Sequence, residues 1–227
     1  AVENLTCCRC RSLAEVRKAW EGEAIPLLVD PEGASIAALN PWAVVDAILA
    51  KKNLGTNRRM ARHTVALGPG FTAGVDVDAV IETKRGHQLG RIIWQGTAIA
   101  NTGIPGLIAG YGRERVIHSQ QAGFVYGLVH IGDKVKKGQP MAVLTEEPIP
   151  SGMAVTECMG TPILASLTGF VRGLIRDGYQ VPQGFKIADI DPRDDERENC
   201  FTISDKARSL GGAVLTALLW MGKGEFS

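Results

Sequence analysis

Slid against itself by 46 residues, the sequence finds its own image. Ala122-Gly123-Phe124-Val125-Tyr126-Gly127-Leu128 falls on Thr168-Gly169-Phe170-Val171-Arg172-Gly173-Leu174. The register holds without a gap through Gly132 on Gly178, Val135 on Val181, Gly138 on Gly184 and Ala142 on Ala188. Nine positions are identical over residues 122–144, where chance supplies roughly one or two. Apolar residues alternate with polar ones and glycines stand where turns are needed, so each copy is predicted to be strand, tight turn, strand. Two copies are too few for a solenoid. They fit one compact domain in which two similar halves pack about a two-fold axis.

This pattern resembles the barrel-sandwich domain of biotinyl and lipoyl carriers. Those carriers attach their cofactor to a lysine between the halves, and no lysine occurs here between Lys137 and Lys186. The resemblance therefore implies the fold without the swinging-arm chemistry, and the domain is expected to act as a β-rich docking module.

The N-terminal half reads differently. Ile25–Asp30 is a short apolar strand, and Pro41–Lys51 suits either strand or helix. His63–Leu67 reads as a strand, followed by the loop Gly68-Pro69-Gly70-Phe71-Thr72-Ala73-Gly74. Asp76 is placed to cap a helix over Val77–Arg85 that Gly86 stops, and Leu89–Trp94 is the next strand. Together these predict a strand–helix–strand unit. The loop has the pattern G-x-G-x-x-A, which lets backbone amides approach an anion at a helix N-terminus. Against that, Pro69 has no amide to donate, and Gln95-Gly96 stand where a ribose-binding acid is expected. The loop is either a phosphate cradle, with Gly68, Gly70, Phe71, Thr72 and Gly74 as its ligand-binding residues, or a structural tight turn. A second run, Asn101-Thr102-Gly103 and on to Gly112, either faces the first across a cleft or links to the repeat. Ser204–Met221 reads as a helix with an apolar stripe at Ala207, Leu210, Val214, Leu218 and Met221. Gly211-Gly212 inside it costs about 1 kcal/mol each relative to alanine, which suggests close backbone packing onto the first domain.

Composition closes several function classes. Twenty-five basic residues balance 24 acidic ones for a net charge of +1, so neither nucleic-acid binding nor an acidic tail is indicated. The apolar run Gly212–Gly222 is too short to cross a membrane. Five cysteines, three of them crowded at Cys7, Cys8 and Cys10, make a poor disulfide framework and point to a reducing cytoplasm. Those three thiols are either small apolar side chains or soft ligands beside Arg9 and Arg11, with Cys158 and Cys200 joining only if the fold brings them near. The acidic stretch Asp189, Asp191, Asp194, Asp195, Glu196, Glu198 lacks the glycine and terminal glutamate of a calcium loop and reads as solvated. His63, His87, His118 and His130 show no metal spacing. No metal site is expected.

Several segments then carry a specific resemblance: Leu54-Gly55-Thr56, Gly68–Gly74, Glu82-Thr83-Lys84-Arg85-Gly86-His87, Asn101-Thr102-Gly103-Ile104-Pro105-Gly106, Ile187–Arg193 and Ile203–Gly212. Together they resemble the bacterial selenium-dependent molybdenum hydroxylase accessory proteins. Members usually begin with a glycine-rich strand–turn–helix, whereas this chain starts at Val2-Glu3, with Glu3 where a ribose-binding acid sits in dinucleotide folds. The resemblance implies an accessory role in maturing molybdenum hydroxylases, with the apo-enzyme or its maturation factors as partners. The alternative is an enzyme that modifies a nucleotide or molybdopterin-type cofactor in a glycine-lined cleft, with His87, Asp76, Glu82 or Arg85 converging on one point beside the Gly68–Gly74 loop. The expected class is α/β. A Rossmann-like half spans 1–112, a barrel-sandwich repeat domain 113–193, and a C-terminal helix 194–227 packs on the first domain. Homo-oligomerisation is left open.

Overall fold

The computed structural model describes residues 2–103, 108–150, 152–155 and 160–224. The chain divides into two compact units, residues 1–102 with 203–227, and residues 103–202.

Unit 1 opens with β1 (Cys7–Cys10), α1 (Leu13–Trp20) and β2 (Ile25–Leu28). Ser12 caps α1 through its hydroxyl, which accepts from the Glu15 amide. The two strands pair in parallel, Cys7 opposite Ile25 and Cys10 opposite Leu28. After α2 (Ala34–Leu39), begun by Asp30 accepting from the Ala34 and Ser35 amides, a second sheet forms. It contains β3 (Ala43–Asp46), β4 (His63–Leu67), β6 (Ala79–Ile81) and β7 (Ile92–Ile93), in that spatial order. β3, β4 and β6 run parallel and β7 antiparallel. Between β4 and β6 lies β5 (Thr72–Ala73), which pairs with β8 (Gly96–Thr97).

Both faces of this second sheet are covered. Val65, Leu67, Ala79 and Ile81 pack against Leu210, Ala213 and Ala217 of α3 (Asp205–Met221). Ala66 and Val80 point the other way, onto Phe71, Ala73, Val77 and Ala98. Double coverage explains why Val77–Ile81 is nearly continuous in apolar character. It also explains the first correction to the sequence reading. The predicted helix Val77–Arg85 is absent, and β6 stands in its place. β-branched Val77, Val80 and Ile81 suit a strand buried on both faces. Asp76 caps nothing; its carboxylate accepts from the Thr72 amide and closes the loop on itself.

Unit 2 holds β9 (Val116–His118), β10 (Gly123–Gly127), β11 (Lys134–Val135), β12 (Pro140–Thr145), β13 (Thr161–Leu164), β14 (Gly169–Leu174), β15 (Tyr179–Val181) and β16 (Lys186–Asp191). They form two four-stranded antiparallel sheets, β13-β12-β10-β15 and β11-β14-β16-β9. The 46-residue offset carries β10 onto β14, β11 onto β15 and β12 onto β16. Val125 and Val171, Val135 and Val181, Met141 and Ile187, Leu144 and Ile190 are repeat mates that meet in one core.

The expected class, a Rossmann-like half joined to a biotinyl/lipoyl-like barrel-sandwich, is corrected. The described chain is a set of small sheets with few helices, and 63–94 contains no strand–helix–strand unit. Among the described residues no helix is long and apolar enough to cross a membrane.

Candidate functional site

The carboxyl ends of β3, β4 and β6 all lie along one edge of their sheet, because the three strands run parallel. In open sheets with parallel strands that edge is where ligands bind. The segments leaving it are 47–56, the glycine loop 68–74 and 82–91.

The first segment is strained. Leu49 and Lys51, neither a glycine, have φ of 59° and 63°, a region that costs about 1 kcal/mol or more for ordinary side chains. The strain is held in place from two sides. Asp46, buried at the end of β3, accepts from the Ile48 amide and from the Thr56 hydroxyl. Gly70, with φ of +108°, leaves the space that a side chain would fill to the backbone of Lys52. The glycine loop thus brings the Lys51-Lys52 segment against the sheet edge.

The third segment is fixed by Glu82, which is 2% exposed. One carboxylate oxygen accepts from the Lys84 amide and the other from the Ile99 amide. Arg85 pairs in two-pronged fashion with Asp205, at 2.7 and 3.0 Å, in the first turn of α3. Lys206 follows in that turn. Its pKa is lowered, first by burial and then by the charge of Arg85, with Lys51 adding in the same direction and Glu82 opposing. Lys51, Arg85 and Lys206 therefore stand against the two carboxylates of Glu82 and Asp205, at the positive end of a 17-residue helix.

The predicted ligand residues divide. Gly68 is buried with φ of +83°, and its missing side chain makes room for Thr83; its amide donates to the Ile81 carbonyl. Phe71 is a core residue of the far sheet face. The Thr72 amide is taken by Asp76 and the Gly74 amide by the Val77 carbonyl. Most of the loop's donors are thus spent within the unit. Asn101 and Thr102 are exposed at the end of unit 1, and Gly103 is the first residue of unit 2. Ile104–Gly106 lie outside the described residues.

The convergence expected of an enzyme is not found. His87 is exposed, Asp76 turns to Thr72, Glu82 holds two amides and Arg85 holds Asp205. Glu3 accepts from the Ile203 amide. Among the described residues no three His, Cys, Asp or Glu gather as a metal site. The acidic stretch is ion-paired: Asp189 with Arg115 and Lys186, Asp191 with Arg172 and Arg193, Asp194 with Lys134, Glu196 with Arg193. Sequence reading missed Lys51 and Lys206, which have no motif of their own and come together only through Gly70 and the start of α3.

No family model matches the chain. The uncharacterized protein YqeB of Escherichia coli is 48% identical over 220 residues, 97% of this chain. The chain spans 38% of that relative's length. Among solved structures, the succinylglutamate desuccinylase/aspartoacylase of Rhodobacter sphaeroides is similar at 16% identity and a TM-score of 0.27, over 44% of this chain and 29% of its own. The product-bound ectoine utilization protein EutE of Ruegeria pomeroyi is similar at 17% and 0.28, over 43% and 27%. An aspartoacylase family protein of Mesorhizobium loti stands at 17% and 0.28, over 43% and 32%. Scores of this size transfer no chemistry to this chain.

These comparisons correct the resemblance to selenium-dependent molybdenum hydroxylase accessory proteins. The curated relative is an uncharacterized protein, and the similar solved structures are described as succinylglutamate desuccinylase/aspartoacylase-family proteins and an ectoine utilization protein, so nothing in the comparisons points to hydroxylase maturation or to biotinyl or lipoyl carriers. The maturation role and its cofactor-modifying alternative fall with it.

Proposed function

We propose that unit 1 binds an anionic small molecule, of the phosphate or pyrophosphate class, at the carboxyl edge of β3, β4 and β6. It does so as a binding module. The observation that carries this reading is the strained Leu49–Lys52 segment, pinned by Asp46 and Gly70 beside Lys206 and Arg85. Strain of this kind persists where the surroundings enforce it, and it clusters at ligand clamps. Here it holds cations together that repel one another, an arrangement that an anion relieves. Gly68 and Gly70 serve as the packing floor, and Phe71, Thr72 and Gly74 as the loop's internal frame.

Titration of the protein with sodium pyrophosphate at low ionic strength, followed by calorimetry, tests this. Binding should weaken at least tenfold in Lys206→Ala, in line with a charge-assisted hydrogen bond of about 1.5–3 kcal/mol. Because burial and neighbouring cations lower the Lys206 pKa, an anion should raise it again. Binding should therefore take up protons in alkaline buffer, visible as a dependence of the heat on buffer ionisation. Absence of binding, or an affinity in Lys206→Ala and Lys51→Ala equal to that of the parent protein, contradicts the proposal.

A further inference from the structure

Cys8 and Cys10 flank Arg9 on β1, and the two-residue period of a strand puts both thiols on one face. Their sulfurs are 3.9 Å apart, and the Cys10 sulfur lies 3.7 Å from the Cys8 carbonyl oxygen. Cys10 is 4% exposed while Cys8 is half-buried. One end of the pair is sheltered and the other opens to solvent, which supplies a way in. Burial, and next the contact with Cys8, raises the Cys10 pKa.

We propose that Cys8 and Cys10 form a binding site for a soft, thiophilic ion of the Cu(I) class. Two metal–sulfur bonds of about 2.3 Å, meeting at a trigonal or tetrahedral angle, place their sulfurs about 3.8–4.0 Å apart. The pair already has that spacing. A disulfide fits less well: residues two apart on a strand have Cα atoms about 6.6–6.8 Å apart, the long limit of what a disulfide spans. Zinc and hard cations fit less well again, since among the described residues no third ligand of the His, Cys, Asp or Glu type joins the pair. A soft ion of low coordination number is satisfied by two thiolates and one small external ligand. The step is an exchange without redox change. Each thiol gives up its proton to solvent, two sulfur–metal bonds form, and the ion sheds the carrier that delivered it. Affinity must then climb steeply with pH. Cys7 points to the opposite face of β1 and is exposed, so it takes no part.

The test is an anaerobic titration of the reduced protein with Cu(I) delivered from a chromophoric chelator. One ion per chain is expected, with a sulfur-to-copper ultraviolet band and release of two protons. Cys8→Ser and Cys10→Ser should each weaken binding about a hundredfold or more, with circular dichroism showing the fold retained. Cys8→Ser changes a half-buried side chain and keeps the test decisive if Cys10→Ser unfolds. Cys7→Ser and Cys200→Ser should bind as the parent does. Binding that survives Cys8→Ser, or that vanishes with Cys7→Ser, overturns the proposal. So does a protein that forms a Cys8–Cys10 disulfide in air and takes up no copper when reduced.

Discussion

A side chain begun at Gly70 would place its first carbon 2.5 Å from the Lys52 Cα and 2.7 Å from the Lys52 nitrogen, on a backbone with φ of +108°. Backbone atoms cannot swing aside as a flexible side chain can. Gly70→Val should therefore destabilise the protein by about 2–4 kcal/mol, read as a lower urea midpoint. It should also release the Lys51-Lys52 segment and weaken pyrophosphate binding; a fully stable variant would show that Lys52 does not pack there. Asp191 has a different role in unit 2. Its side chain is 1% exposed and accepts from Arg193 and Arg172. The Arg193 hydrogen bond, outweighing burial, lowers its pKa from 3.8 to about 2. A depressed carboxylate pKa contributes stability that is present above the unfolded value and lost as pH falls through the folded one. Unit 2 should therefore lose about 2 kcal/mol between pH 5 and pH 2 through this group. Asp191→Asn should cost about 2–4 kcal/mol at neutral pH, because two arginines lose their partner. Its stability should then vary less with pH below 5, and an unchanged acid profile would place the lability elsewhere.

α3 shows how far an element can be read from its residues. Ser204 caps it through the Ala207 amide, and Leu210, Val214, Leu218 and Met221 face the sheet as their spacing predicts. Ala213 and Ala217 complete the buried stripe, while Ala207 is exposed. α3 packs on the sheet of unit 1, but not through Gly211-Gly212: both face open space, and the close approach to α3 is made by Gly90 against Ser209. Gly211→Ala and Gly212→Ala should each stabilise the protein by about 0.5–1 kcal/mol, measured as a rise in thermal midpoint; a fall would mean the pair packs against something. The repeat was legible because glycines and apolar residues recur at a fixed offset, and each repeat mate meets its fellow in one core. β6 was illegible as a strand because Val77–Ile81 is short and buried on both faces, so it shows no alternation, and Asp76 imitates a helix cap. The loop glycines were located correctly as special backbone. What they accommodate, the backbone of Lys52 and the side chain of Thr83, depends on contacts between distant parts of the chain that no local pattern encodes.

At the scale of the whole chain, a net charge of +1 conceals a local imbalance. Residues 47–62 contain Lys51, Lys52, Arg58, Arg59 and Arg62 and no acid, and Arg58 pairs with Asp78. That segment links two parallel strands without a helix, and its inner end stands beside Lys206. The unit thus holds positive charge on a rigid edge and steers anions towards it. Hydrogen exchange with and without pyrophosphate, resolved along the chain by mass spectrometry, tests this account most directly. The account predicts slower exchange in residues 47–56, 82–86 and 203–208, little change in 116–191, and loss of the effect in Lys206→Ala. Protection confined to 116–191, or spread evenly over both units, would contradict it.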